Sequence, residues 1–217
     1  MSIGETNGPM FGPPSGPAQP LIRRPTPGSP METFLVALVT VAAAEIGDRT
    51  QLLSLVLAAH FRKPWPMLAA ILLATLANHL LAGLVGVWFG DWLRPGLLDG
   101  VVGASMLGMA LWTLVPDKLA DAVAISRRGA FTATLAAFFI AEIGDKTQIA
   151  TMALAAGYAS LGAVVAGTTA GMLLANAPVV FLGKAFADRL PMIAIHWAAA
   201  GLFAALGLLF LARALTG

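Results

Sequence analysis

Eight residues occur twice in this chain with one change between the copies. They are Ala44-Glu45-Ile46-Gly47-Asp48-Arg49-Thr50-Gln51 and Ala141-Glu142-Ile143-Gly144-Asp145-Lys146-Thr147-Gln148, with Arg in the first where the second has Lys. Each copy sets two carboxylates, a base, a hydroxyl and an amide inside a long apolar run, where ionisable groups are costly and mark functional sites. On a continuous helix Glu45, Asp48 and Gln51 fall on one stripe, and Glu142, Asp145 and Gln148 repeat it. If the two stripes face each other, four carboxylates and two amide carbonyls converge. Arg49 and Lys146 follow Glu45 and Glu142 by four residues and are placed to pair with them. Four acids and two bases sum to −2, the charge that one divalent cation neutralises. The donors are all oxygen, which favours a hard ion such as Ca²⁺, Mg²⁺ or Mn²⁺ over Zn²⁺ or copper. Crowded carboxylates repel one another, so protons compete with the metal; this is the physical basis of cation/proton exchange.

The residues around the acids admit two readings each. Gly47 and Gly144 let another helix approach closely, or let their own helix open and offer a carbonyl. Thr50 and Thr147 add hydroxyl ligands or, more commonly, bond their own helix. Asn78 and Asn176, deep in apolar runs, either coordinate the ion or join helices by hydrogen bonds; their presence in both copies favours the ion. The bland reading of the whole motif is a pair of structural ion pairs, Glu45–Arg49 and Glu142–Lys146. It leaves Asp48 and Asp145 without partners in a costly setting, so the ion site is preferred. His79 has no counterpart, since Ala177 follows Asn176, and reads as a packing residue before a proton relay. His60 and His196 fall at segment ends, as do Trp65, Trp88, Trp92 and Trp197, which suit an interfacial belt. Gly96, Gly100, Ala104 and Gly108 make a small-residue face expected to pack inside the monomer. Met152 reads as a core residue before a soft ligand.

The elements that must position these residues are apolar throughout. The chain has 217 residues, 58% hydrophobic and 11% charged, with a mean hydropathy of +0.82. That composition belongs to a polytopic membrane protein. The net charge of +2 is too small to argue for nucleic acid, and the absence of Cys excludes disulfides, thiolate metal sites and a Cys nucleophile. Residues 1–30, rich in Pro and Gly, read as a disordered tail or as an extension ahead of a start at Met31. Six segments then reach the roughly 20 residues a bilayer needs: 31–58, 65–90, 97–115, 130–156, 160–186 and 192–213. Backbone polar groups in lipid must be satisfied internally, so these are expected to be helices.

The halves repeat, residues 31–115 against 130–217, joined by a loop at 116–129. The offset is 142 − 45 = 97 at the motif and 176 − 78 = 98 at the asparagines. Three spans per repeat is odd, so the second copy enters the membrane from the opposite side. The expected fold is an all-α membrane protein, six transmembrane helices as an inverted 3+3 repeat, a design that sets the substrate site at the midplane between the copies. Arg62, Lys63, Lys118, Arg127, Arg128, Lys184 and Arg189 fall on one face, which makes the central loop cytoplasmic and places both termini outside.

At these residues the sequence resembles the Gdt-type cation/proton exchangers, a group that includes bacterial manganese exporters and the Golgi transmembrane protein 165. The resemblance covers about Met31 to Gly217 and rests on the doubled E-x-G-D-[KR]-[ST] motif. It implies export of Mn²⁺ or Ca²⁺ from the cytosol coupled to inward protons, with no cofactor beyond the transported ion. The motif residues fall on Glu45, Gly47, Asp48, Arg49, Thr50, Glu142, Gly144, Asp145, Lys146 and Thr147. The short central loop looks like the prokaryotic branch, so an inner membrane is expected. Three other readings are weaker. An exporter of small organic cations lacks an aromatic-lined pocket near the motifs. An intramembrane protease needs two unlike active-site helices rather than near-copies. A channel fits less well, because charged pairs at the midplane of an inverted repeat suit alternating access.

Overall fold

The computed structural model describes residues 28–115, 129–183 and 191–216. The tail to residue 27, the central connection at 116–128, and Lys184 and Arg189 lie outside the described residues. Among those described, all regular structure is helical: α1 (Pro30–Glu45), α2 (Arg49–Phe61), α3 (Pro64–Trp92), α4 (Pro95–Thr113), α5 (Ala130–Glu142), α6 (Lys146–Gly157), α7 (Leu161–Leu182) and α8 (Met192–Thr216). The starts follow local chemistry. The Ser29 hydroxyl accepts from Glu32 N at 3.2 Å to cap α1, and Ser160 caps α7 through Ala163 N at 3.3 Å. Pro64 and Pro95 open α3 and α4, where a missing N–H costs nothing. Arg62, in the left-handed region at φ 53°, ends α2.

α3, α4, α7 and α8 are each long and apolar enough to cross a membrane. α1 and α2 reach that length together but are bent by 68° at their junction, and α5 is a shorter apolar helix. The expected segments 31–58 and 130–156 are therefore not continuous helices. Both break inside the motif. Gly47 and Gly144 have φ +85° and +74°, a region open to glycine at little cost and unfavourable to other residues. Ile46 and Ile143 before them are extended, and Asp48 and Asp145 after them are the N-caps of α2 and α6. The Asp145 side chain caps α6 by accepting from Thr147 N, and in both copies E-I-G-D ends one helix and starts the next. Of the two readings open for the glycines, the structure takes the opened helix.

Glycines also set the packing. A Cβ at Gly167 or Gly171 of α7 would lie 2.4 Å from the Phe34 carbonyl oxygen or 2.6 Å from that of Leu38, so α1 and α7 are in backbone contact. Gly86 of α3 meets the Met152 carbonyl of α6 in the same way, at 2.2 Å, and Gly90 lies against Ala156. The expected small face on α4 packs inside the bundle in part. A Cβ at Gly96 or Gly100 would lie 3.6 or 4.0 Å from Ala214 of α8, one at Gly108 would meet nothing within 4 Å among the described residues, and the tightest approach to α8 is at Gly103, against Gly207 and Leu211. α2 is held less closely than α6. Leu55, Val56 and Ala59 of α2 stand across a cavity of about 510 Å³ from Val180, Phe181 and Leu182 of α7. Trp65, Trp88, Trp92 and Trp197 are exposed on the outside of the bundle.

Candidate metal centre

The two breaks bring the motifs together. Glu45 ends α1, and Asp48 and Asp145 begin α2 and α6. Each of the three offers one carboxylate oxygen, and these atoms lie within 4.8 Å of one another with all three residues buried. One cation can touch all of them. Placing Asp48 and Asp145 at helix N-termini also stabilises their charge through the helix dipoles.

The bases do not pair as a continuous helix predicts. Lys146 Nζ lies 2.5 Å from Asp48 Oδ1, and Arg49 Nη2 lies 3.0 Å from Asp145 Oδ1. Each base neutralises the other motif's aspartate, not its own glutamate. The cause is the glycine break, which removes the i, i+4 register between Glu45 and Arg49 and between Glu142 and Lys146. Asp48 and Asp145, read from sequence as the acids left over, are the ones that carry the ion pairs. The two pairs differ in exposure. The Lys146 side chain is 3% exposed and that of Arg49 is 39% exposed.

The glutamates are held from across the repeat as well. Asn176 Nδ2 donates to Glu45 Oε1 at 3.2 Å and to the Met172 carbonyl at 3.1 Å. Ser54 Oγ donates to Asn176 Oδ1 at 2.6 Å, which fixes the amide's orientation. Asn78 Nδ2 donates to Glu142 Oε2 at 3.3 Å and to the Phe139 carbonyl at 3.1 Å. Thr75 Oγ1 donates to Glu142 Oε1 at 2.5 Å. Glu142 is buried but does not join the group of three.

Gln51 and Gln148 secure the breaks. Gln51 Oε1 accepts from Gly47 N at 2.8 Å and its amide donates to the Ala175 carbonyl at 3.0 Å. Gln148 Oε1 accepts from Gly144 N at 2.7 Å. These bonds satisfy N–H groups that the opened helices leave without intrahelical partners. The Thr147 hydroxyl donates to Asp145 Oδ2 at 3.2 Å and not to a carbonyl of its own helix. Thr50 is buried beside Asp48 with no hydrogen-bond partner among the described residues. His79 is wholly buried, and His196 reaches the first break: a Cβ at Gly47 would lie 2.8 Å from its Nε2 and 2.1 Å from the Met192 methyl. A Cβ at Gly144 would meet nothing within 4 Å among the described residues, so α8 covers the first break and not the second. Thr75 and Ser54 escaped the sequence reading. A lone hydroxyl in an apolar helix is ordinary, and its partner is 67 residues away for Thr75 and 122 for Ser54.

Comparison with known proteins agrees with this chemistry. The profile of the family described as "Divalent cation/proton antiporter GDT1" matches residues 33–121 and 130–217. A protein of Vibrio cholerae serotype O1 named "Putative manganese exporter" is 56% identical over 174 residues, covering 80% of this chain and 87% of that relative. No solved structure matches.

Proposed function

Since the chain belongs to the GDT1 family of divalent cation/proton antiporters, we propose that it exports Mn²⁺ or Ca²⁺ across a prokaryotic inner membrane in exchange for protons. It is an integral membrane transporter and not an enzyme. The observation that carries the reading is the convergence of Glu45, Asp48 and Asp145, buried and within 4.8 Å, from both motifs. An all-carboxylate seat suits a hard divalent ion. Its span also suits a single ion better than an organic cation, which needs a larger apolar enclosure. With Glu142, Arg49 and Lys146 the site sums to −2. Once the cation leaves, the crowded acids repel one another and gain protons to relieve it. Cation and protons then occupy the same acids in turn.

The fold reading that goes with this function is six spans in an inverted repeat, with α1–α2 and α5–α6 as broken spans. Two equivalent joints support it. The motif offset of 97 carries Leu55 and Ala59 of α2 onto Met152 and Ala156 of α6. Met152 and Ala156 are packed on α3 at Gly86 and Gly90. Leu55 and Ala59 face α7 across the cavity of about 510 Å³. The α2–α7 joint stands wider than its equivalent, where Gly90 and Ala156 border a cavity of about 140 Å³, and such an inequality between equivalent joints is what alternating access between repeats requires. With the basic loops inside, the wider joint is on the cytoplasmic side.

The test is flux into proteoliposomes that hold a pH-sensitive dye, with Mn²⁺, Ca²⁺, Mg²⁺ and Na⁺ added in turn. Proton counterflow with Mn²⁺ or Ca²⁺ is expected, and its loss in Asp145→Asn. Metal flux that ignores the proton gradient would make the protein a channel. No metal-driven flux at all would overturn the cation reading.

A further inference from the structure

We propose that Thr75 divides the labour between the two motif glutamates: its hydroxyl holds Glu142 against α3, so the cation seat has three carboxylates instead of four. The inference rests on the cation-exchange reading above and adds a positioning residue to it.

The two glutamates are equivalent in sequence and unequal in space. Glu142 has a donor on each oxygen, Thr75 at 2.5 Å and Asn78 at 3.3 Å. Glu45 has Asn176 at 3.2 Å on Oε1, and its buried Oε2 has no hydrogen-bond partner among the described residues. That bare oxygen belongs to the glutamate that joins Asp48 and Asp145. The difference is written in the chain. The offset of 98 carries Asn78 onto Asn176, an amide onto an amide. The same offset carries Thr75 onto Leu173, a hydroxyl onto a side chain with nothing to donate.

A short hydroxyl–carboxylate hydrogen bond is among the stronger protein hydrogen bonds, and low dielectric strengthens it further. Glu142 ends α5 three residues before Asp145, one of the seat's acids. Without Thr75, one of its oxygens loses its donor, and only the Asn78 bond at 3.3 Å still holds the carboxylate to α3. Affinity for a hard divalent cation rises with the number of charged ligands. A fourth carboxylate would therefore tighten binding and slow release, and a transporter must release. Thr75 keeps the seat weak enough to turn over.

Thr75→Val keeps the shape and removes the donor, Thr75→Ala is a second donor-less variant, and Thr75→Ser keeps the hydroxyl. Mn²⁺ is titrated into the purified full chain in detergent, with the free aquo-ion read by electron paramagnetic resonance. The same proteins in liposomes give KM and kcat. Both donor-less variants are expected to bind Mn²⁺ about five- to tenfold more tightly, with KM and kcat falling together, while Thr75→Ser follows the unaltered protein. A purely structural role for Thr75 would weaken binding, not tighten it. Unchanged or weaker binding in a folded, monodisperse donor-less variant overturns the inference and leaves the cation reading standing. No binding of Mn²⁺ or Ca²⁺ by the unaltered protein overturns both.

Discussion

Replacing Lys146 with Met should damage this protein far more than replacing Arg49, although the two bases occupy the same motif position. The Lys146–Asp48 pair is sealed from solvent, with side chains 3% and 0% exposed. Removing one partner of a buried pair leaves a charge in low dielectric and costs about 3–5 kcal/mol. The Arg49 side chain is 39% exposed, so water screens its pair. Asp145 also keeps the Thr147 hydroxyl and N–H after Arg49 is lost. Asp145 itself is only 2% exposed, but those remaining bonds and the water admitted at Arg49 partly satisfy it, so the loss is expected to stay below that of the sealed pair. The assay is reversible unfolding in mixed micelles of increasing sodium dodecyl sulfate, followed by the fluorescence of the five tryptophans. Lys146→Met is expected to lower the unfolding free energy by about 3 kcal/mol or more. Asp48→Asn combined with Lys146→Met should recover at least half of the loss, because the orphaned charge goes with its partner. Equal costs for Lys146→Met and Arg49→Met, or no recovery in the double variant, would refute the argument that burial separates the pairs.

Two further outcomes follow from the breaks and their supports. Gly47→Ala and Gly144→Ala each place a Cβ in the left-handed region at about 1–2 kcal/mol. Gly47→Ala must also displace Met192 and His196, so it is expected to cost more in the same unfolding assay; two near-neutral alanines would mean that the helices need not break. Ser54→Ala removes the hydroxyl that orients Asn176 and leaves a buried amide oxygen unsatisfied, at about 1–3 kcal/mol. It is expected to raise the KM for Mn²⁺, because Asn176 then holds Glu45 less firmly, and an unchanged KM would remove Ser54 from the site's support.

Much of the site was legible because the membrane makes its residues expensive. Glu45, Asp48, Glu142 and Asp145 stand out from 58% hydrophobic sequence, and the repeat offset shows that they come in two matched sets. The glycine break was only half legible. Glycine between two acids permits either an opened helix or a close helix contact, and the choice depends on what packs nearby. The ion pairs were misread for a related reason. Four-residue spacing offered Arg49 a local partner in Glu45, and that local partner vanishes once the helix ends at Glu45. Thr75 was not legible at all, since nothing in an isolated threonine points to a carboxylate on α5.

Every charged group in this site has its partner in the other half of the chain: Lys146 with Asp48, Arg49 with Asp145, Asn176 with Glu45, and Thr75 and Asn78 with Glu142. During synthesis Asp48 is made 146 − 48 = 98 residues before Lys146. At ribosomal speeds the wait is roughly 5–20 s. Through that interval the first half holds two motif acids, Glu45 and Asp48, against one motif base, Arg49. Its crossed ion pairs cannot close before the start of α6 is made, since Lys146 and Asp145 both lie there. The crossed pairs make this membrane protein one cooperative object, assembled when its last helices arrive.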